Sequence, residues 1–213
     1  MNLYNSRVLG FVESKTAAIY HAAQSQLLRL DRVQNIFLRN LGLSEVEALC
    51  QYRLAPLSSR RDMALLGVIH RTVLGYGPEQ FKEYFKAAPA SMHNGRGSGR
   101  RHGRQLLTHR EGRYLEILGH SILGLVDVYN LLPANFVNED TVPKFQGQLQ
   151  KYLVEAATNG VVGWQNSFSP RLAIYSHPLR YNPAIEDKKL KCEANNEKRD
   201  NTKCINNWLI FAQ

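Results

Sequence analysis

A proline between two apolar stripes constrains the fold of this chain more than any other feature. Before Pro133, apolar residues recur at intervals of three and four, which predicts a helix whose buried stripe holds Ile122, Leu123, Leu125, Val126 and Tyr129. Pro133 cannot continue that helix, and it biases Leu132 away from helical angles. Thr141 is a suitable N-cap for a second helix, whose apolar face holds Val142, Phe145, Leu149, Tyr152 and Leu153. The pattern predicts a helical hairpin over residues 119–156.

The first 88 residues carry the same helical periodicity. Residues 6–41 are predicted to be helical, with a break near Ala22–Gln26 and a stop at Gly42. The inward stripe predicted for the second of these helices holds Leu27, Leu30, Val33, Phe37 and Leu41. Ser44 and Glu47 have the spacing of a capping box, which predicts the start of the next helix. A further helix is predicted from Ser58 or Ser59 to Leu74, with Gly75 as its terminator.

Glycine and proline divide the rest of the chain. Residues 89–118 contain repeated glycines among arginines, which predicts a flexible linker rather than regular structure. Residues 157–213 are predicted to be irregular and then disordered. The predicted fold class is mainly α: a helical bundle over residues 1–88, the Arg/Gly linker, the helical hairpin and an irregular tail.

The charge of the chain favours an anionic partner. Lysine and arginine number 27 against 18 acidic residues, a formal net charge of +9. No run of about 18 apolar residues occurs, so no membrane partner is expected. Three scattered cysteines indicate neither a disulfide framework nor a zinc site, and they favour a reduced intracellular compartment, nucleus or cytoplasm.

The linker holds the strongest candidate site for nucleic acid. Its six arginines lie between residues 96 and 113, where Glu111 is the one acid, and are Arg96, Arg100, Arg101, Arg104, Arg110 and Arg113. A guanidinium offers paired donors to phosphate oxygens, and flexible glycine spacing lets a segment follow an irregular strand. The alternative is a solvated linker whose charge only aids solubility.

A second set of arginines is predicted to lie on helices. Arg32 and Arg39, with Arg29, flank the apolar stripe of residues 27–41, and Arg60 with Arg61 opens another helix. Cations at a helix start oppose the helix dipole at a small cost, which a docked anion would reverse. These side chains are predicted to neutralise phosphates, although each is also compatible with a solvated helical face.

The order of several motifs resembles a known family. Val126-Asp-Val-Tyr-Asn-Leu-Leu-Pro133, then Val137 and Thr141–Leu149, resembles the "WN-x-LP … V … F-K-x-x-L" signature of LINE-type (non-LTR) retrotransposon polyproteins, with Tyr129 in place of the usual Trp. Gly10–His21, Leu30–Arg39 and Leu54–Leu66 resemble thumb helices of the same reverse transcriptases, in the same order. The resemblance covers roughly residues 3–183.

This resemblance implies a thumb and connector that lie beyond the polymerase palm. The paired carboxylates of such a palm hold two magnesium ions. No Phe/Tyr-Ala-Asp-Asp motif occurs here, so the palm is expected upstream. The chain itself is expected to be no enzyme, with no catalytic residue, metal or cofactor, and to contribute non-specific binding of RNA or DNA. Its partners would be nucleic acid and the palm. The alternatives are a helical protein-interaction module and a decayed element fragment without independent function.

Overall fold

The computed structural model describes residues 4–89, 101–108 and 115–180. These residues are mainly α-helical, which confirms the predicted fold class. The chain up to Leu179 forms one compact unit, and a second unit, Arg180–Gln213, falls almost wholly outside the described residues. The disorder predicted for residues 186–203, within the tail of residues 157–213, therefore lies outside them as well. None of the helices described is both long and apolar enough to cross a membrane.

Local signals set the helix boundaries of the N-terminal part as predicted. A π-helical turn, Tyr4–Leu9, leads into α1 (Gly10–Glu13) and α2 (Thr16–Ile19), and the break precedes α3 (Gln24–Asn40). Gly42 follows α3 at φ +67°, a left-handed conformation that favours glycine. At the start of α4 (Glu45–Tyr52), the Ser44 hydroxyl accepts from the Glu47 amide, and the Glu47 carboxylate accepts from the Ser44 amide. The predicted stop and the predicted capping box are confirmed.

The predicted stripe of α3 is only partly right. Leu27 is buried as predicted, but Val33 is 44% exposed and Leu41 is 49% exposed. The polar side chain of Gln34 lies in the core instead, where it donates to the carbonyl of Ala55 at 3.0 Å. This hydrogen bond satisfies the Nε2 donor of Gln34, whereas its Oε1 is buried without a partner among the described residues.

Helix α5 (Leu57–Val73) is the central element, in contact with α3, α7 and α9. It begins directly after Pro56, so the prediction of a cap at Ser58 or Ser59 is wrong. The Ser59 hydroxyl instead donates to the carbonyl of Gln165, far along the chain. Gly75, at φ +87°, follows the helix as predicted.

The remaining helices surround α5. A 3₁₀ turn, Glu79–Glu83, is followed by α6 (Leu115–Gly119), α7 (Leu125–Leu131), the single turn α8 (Ala134–Val137) and α9 (Val142–Thr158). Leu132 has ψ 147° and ends α7 ahead of Pro133, as predicted. Thr141 occupies the N-cap position of α9, but its side chain makes no capping hydrogen bond.

One hydrophobic core crosses the predicted domain boundaries. Its buried members run from Tyr20 through Ile69, Tyr129 and Leu149 to Leu179. Residues 157–179, predicted to be irregular, contain short 3₁₀ turns and also contribute Trp164 and Phe168 to this core. The domain boundaries predicted at residues 88 and 156 do not separate independent cores. Helix α5 precedes both boundaries in the chain, yet it packs against elements that follow each of them. A smaller cluster joins Tyr4, Leu9, Leu38, Ala48, Leu54 and Leu57.

Candidate nucleic-acid interface

Residues 101–108 dock on the folded unit. The Ala88 amide donates to the Gln105 carbonyl at 2.8 Å, and the Leu107 amide donates to the Lys86 carbonyl at 2.9 Å. These bonds form an isolated antiparallel bridge between Ala87 and Leu106. The prediction of a flexible linker is therefore wrong for residues 101–108. Residues 90–100 and 109–114 of the linker lie outside the described residues, whereas residues 115–118 form the start of α6 and are helical rather than flexible linker.

The Asn130 side chain fixes this docked segment in register. Its Oδ1 accepts from the Leu106 amide at 2.8 Å, and its Nδ2 donates to the Leu106 carbonyl at 2.8 Å. A carboxamide so placed satisfies a backbone donor and a backbone acceptor together, as a neighbouring strand would. The asparagine of the Tyr-Asn-Leu-Leu-Pro block thus has a structural role.

Arg101 and Arg104 fasten the segment to the ends of two helices. Arg101 donates to the carbonyls of Leu131, at 3.0 Å, and Leu179, at 2.7 Å. Arg104 donates to the carbonyls of Val137, at 2.6 Å, and Glu139, at 3.1 Å. Leu131 and Val137 are the last residues of α7 and α8, where unpaired carbonyls and the helix dipole attract a cation. Protein carbonyls hold donors of both arginines in this structure, and the contact of Arg101 and Arg104 with phosphate stays a prediction.

A buried pair of histidines completes this docking region, and the sequence analysis missed it. His70 Nε2 lies 3.0 Å from the Glu139 carbonyl, which can only accept, so His70 Nδ1 accepts from the Tyr129 hydroxyl at 3.0 Å. Burial lowers the pKa of His70 and raises the pKa of Tyr129. His102 Nε2 lies 3.1 Å from the Tyr129 carbonyl. Both ring nitrogens of His70 are hydrogen-bonded. Because His70 lies on α5 and Tyr129 on α7, the bond between their side chains joins these two helices.

Arg60 and Arg61 are paired with carboxylates of the protein itself. Arg61 is 4% exposed, and its two Nη atoms donate to both oxygens of Asp31 at 2.7 and 3.1 Å. Arg60 Nε donates to Glu13 Oε1. The anions expected at the start of α5 are thus supplied by α3 and α1. The charge of each arginine is balanced by a carboxylate of the fold, and the contact of Arg60 and Arg61 with phosphate stays a prediction.

Asp62, next to Arg61 in the chain, is a buried acid. It accepts from the Tyr20 hydroxyl at 2.6 Å. Burial raises the pKa of Asp62 to about 7, against the opposing effects of the Tyr20 hydrogen bond, Arg61 and Arg171. Arg171 donates to the carbonyls of Tyr20, at 2.7 Å, and Ala22, at 3.0 Å, where the chain leaves α2.

Asp62 is expected to make the stability of the fold depend on pH. Its raised pKa means that the folded chain binds a proton between about pH 4 and 7, where the unfolded chain has lost it. Stability should therefore fall as the pH rises through this window and become level above it. Asp62→Asn keeps an acceptor for Tyr20 and should remove this slope, as urea midpoints from pH 4 to 8 would record. Parallel curves for the two proteins would contradict the assignment.

Three exposed arginines lie on one face of α3. Arg29, Arg32 and Arg39 are exposed, and none has a hydrogen-bond or ion-pair partner among the residues that the structure describes. At 3.6 residues per turn they fall within an arc of about 80°, and they span about 15 Å along the helix. We call this surface the α3 face; it also includes Leu28, Val33 and Ile36, which are 49%, 44% and 53% exposed.

Of the ten predicted site residues, only Arg32 and Arg39 are seen exposed and unpaired. Arg29, which the sequence places beside them, joins the same face. Arg96, Arg100, Arg110 and Arg113 lie outside the described residues.

The described residues contain no group of three His, Cys, Asp or Glu side chains placed to hold a metal ion. Comparisons of the chain with protein-family models, with curated proteins and with solved structures give no match. The resemblance to non-LTR reverse transcriptases therefore stays a prediction from the sequence motifs.

Proposed function

We propose that this chain binds the phosphate backbone of nucleic acid through the α3 face and performs no chemistry of its own. The observation that supports this most is the stripe of three arginines without carboxylate partners, on a helix whose one acid, Asp31, is paired with Arg61. A DNA strand presents one phosphate about every 3.4 Å along its axis, so about 15 Å of helix matches the span of roughly four phosphates. Contacts of this kind position a strand without reading its sequence.

The motif order supports a more specific place for this activity. In a non-LTR reverse transcriptase, the segment would serve as thumb and connector, gripping template and primer while the palm supplies carboxylates and magnesium. On this proposal the chain is a non-catalytic fragment of an RNA-directed DNA polymerase. Its partners are RNA or DNA and the upstream palm.

A second candidate function is protein interaction through the same face. Leu28, Val33 and Ile36 expose apolar surface between the arginines, which is unusual for a purely solvated helix. A protein partner would bury these three side chains and would remain bound after nuclease treatment. A nucleic-acid partner would be lost on such treatment.

Neutralising the α3 face is expected to weaken binding to duplex RNA and DNA. The triple variant Arg29→Gln, Arg32→Gln, Arg39→Gln removes up to three phosphate contacts, which should lower the slope of log affinity against log salt by about 2.7 for duplex DNA. Fluorescence anisotropy with a labelled duplex over a range of salt concentrations measures both effects.

A charge-matched control separates this face from net charge. Lys15, Lys86 and Lys144 are exposed cations that lie outside α3, and changing all three to Gln removes the same charge. This control should change the slope much less than the α3 variant. Equal effects of the two variants would mean that the chain binds by diffuse charge alone.

A further inference from the structure

The hydrogen bonds of His102 determine which of its ring nitrogens carries a proton. Its Nε2 lies 3.1 Å from the Tyr129 carbonyl, which can only accept, so Nε2 carries the proton. Its Nδ1 accepts from the Arg104 amide at 3.2 Å, so Nδ1 carries none. The residue is only 4% exposed. A second proton on the ring would set an Nδ1 donor against the amide donor of Arg104 and would break this bond.

His177 repeats this arrangement. Its Nε2 lies 3.2 Å from the Ser169 carbonyl, and its Nδ1 accepts from the Leu179 amide at 3.3 Å. The residue is fully buried. In both histidines, Nδ1 accepts from the amide two residues later along the chain, and Nε2 donates to a carbonyl. Both rings must therefore be neutral for these four hydrogen bonds to exist together.

Arg101 connects the two histidines. It precedes His102 in the chain, and its guanidinium donates to the Leu179 carbonyl at 2.7 Å. The amide of Leu179 is held by His177, and the amide of Arg104 is held by His102. Each histidine thus fixes backbone next to a hydrogen bond by which an arginine docks this segment. Protonation of either ring would loosen that docking.

The charges around the two rings give a protonated histidine little compensation. Arg101 and Arg104 lie on either side of His102 in the chain. A neighbouring cation disfavours the charged form of a histidine. The surrounding elements add titratable or charged residues, of which Glu139 is the acid: His70, Lys86, Tyr129, Glu139 and Arg171.

We propose that His102 and His177 form an acid-sensitive latch, which keeps residues 101–108 docked while both rings are neutral and releases them in mild acid. A histidine free of such bonds takes up a proton at about pH 6.5, so the released state gains stability relative to the docked state below this value. Protonated Asp62 stabilises the folded chain in the same pH range, so the other elements should stay folded.

Release would free the guanidinium donors that the docked segment directs to protein carbonyls. Arg101 and Arg104 would then be available to an anionic partner, as the sequence pattern predicts for them. The latch does not depend on the α3 face, and its test contains no nucleic acid, so either proposal can fail without the other.

Amide hydrogen exchange of the full chain between pH 8 and pH 5 tests the latch. The readout is the protection factor of the Leu107 amide, which donates to the Lys86 carbonyl; dividing by the rate of an unstructured amide removes the pH dependence of the exchange chemistry. Protection should be level above about pH 7 and should fall about tenfold per pH unit below about pH 6.5 for each proton taken up on release. The Leu149 amide in α9 should keep its protection. Level protection of Leu107, or an equal fall at Leu149, would overturn the proposal.

A pair of matched variants assigns the pH dependence to these two histidines. His102→Asn combined with His177→Asn keeps an acceptor for the amide two residues later, as asparagine does in turns, but cannot take up a proton. The protection of Leu107 in this variant should no longer depend on pH. His21→Asn combined with His120→Asn removes two exposed histidines and should keep the full dependence. The opposite pattern would overturn the proposal.

Nitrogen NMR of the imidazole rings in the unmodified chain provides a test that needs no variant. Both rings should carry their proton on Nε2 at pH 8. Doubly protonated rings should appear in acid only together with the loss of protection at Leu107. Protonated His102 and His177 rings in a chain whose Leu107 amide stays protected would show that neutrality is not required for docking, and would overturn the proposal.

Discussion

Asp31→Ala is expected to lower the free energy of unfolding by about 3–5 kcal/mol, because it leaves the Arg61 guanidinium buried without its partner. Arg61 is only 4% exposed, and its side chain meets Asp31 through two parallel hydrogen bonds. Urea denaturation at neutral pH measures the loss. The expected loss of stability comes from leaving the Arg61 charge buried without a partner, and not from losing the attraction between Arg61 and Asp31.

Two controls support that explanation. Replacing both Asp31 and Arg61 by leucine removes the charge as well as its partner and should cost much less than the single change. Glu155→Ala breaks the exposed pair of Lys151 and Glu155, 3.9 Å apart, and should change stability by no more than about 0.5 kcal/mol. A loss below about 1 kcal/mol for Asp31→Ala would contradict the burial of Arg61.

Arg104→Ala is expected to lower the free energy of unfolding by about 2–3 kcal/mol and to release residues 101–108 from the helices on which they dock. The substitution removes two charge-assisted hydrogen bonds, to the carbonyls of Val137 and Glu139. The Leu107 amide, which donates to the Lys86 carbonyl, should then exchange with solvent faster. Urea denaturation and amide hydrogen exchange, both without nucleic acid, provide the two readouts.

Lys86→Ala is the matched control for that experiment. Lys86 lies in the backbone segment that faces residues 101–108, and its side chain is exposed. Lys86→Ala should therefore change the free energy of unfolding by no more than about 0.5 kcal/mol. If Arg104→Ala were as mild as this control, residues 101–108 would be the flexible linker that the sequence predicted.

Signals that act within a few residues predicted the fold well. Gly42, the Ser44–Glu47 pair and Pro133 determine local backbone geometry, and each lies at a helix boundary in the structure. Apolar periodicity predicted the mainly helical class for the same reason, since it reflects the geometry of a single helix.

The features that the sequence did not predict depend on contacts between residues that lie far apart in the chain. Asn130 holds Leu106 from 24 residues away, and Arg61 meets Asp31 across 30 residues. The sequence showed the arginines and glycines of the linker but not the helix ends that receive Arg101 and Arg104. Composition therefore predicted a flexible cationic segment, whereas the tertiary contacts of residues 101–108 use the same charge to complete the fold.

The choice of which α3 side chains face the core also depends on residues that are distant in the chain. Periodicity placed Val33 on the buried side, but the hydrogen bond from Gln34 to Ala55, across 21 residues, turns Val33 outward. This displacement leaves apolar side chains among the arginines of the α3 face. The sequence could indicate Arg32 and Arg39 as candidates, but it could not show that Arg60 and Arg61 on the neighbouring helix are already paired.

The salt dependence of duplex binding in two variants of the full chain tests the central claim most directly. One variant changes Arg29, Arg32 and Arg39 to Gln, and the other changes Arg96, Arg100, Arg110 and Arg113 to Gln. If the α3 face holds the backbone, the first variant should lose about 2.7 units of slope on duplex DNA, and the second should keep most of its slope although it has lost more charge. A slope that survives the first change and disappears with the second would contradict the assignment of the interface to α3.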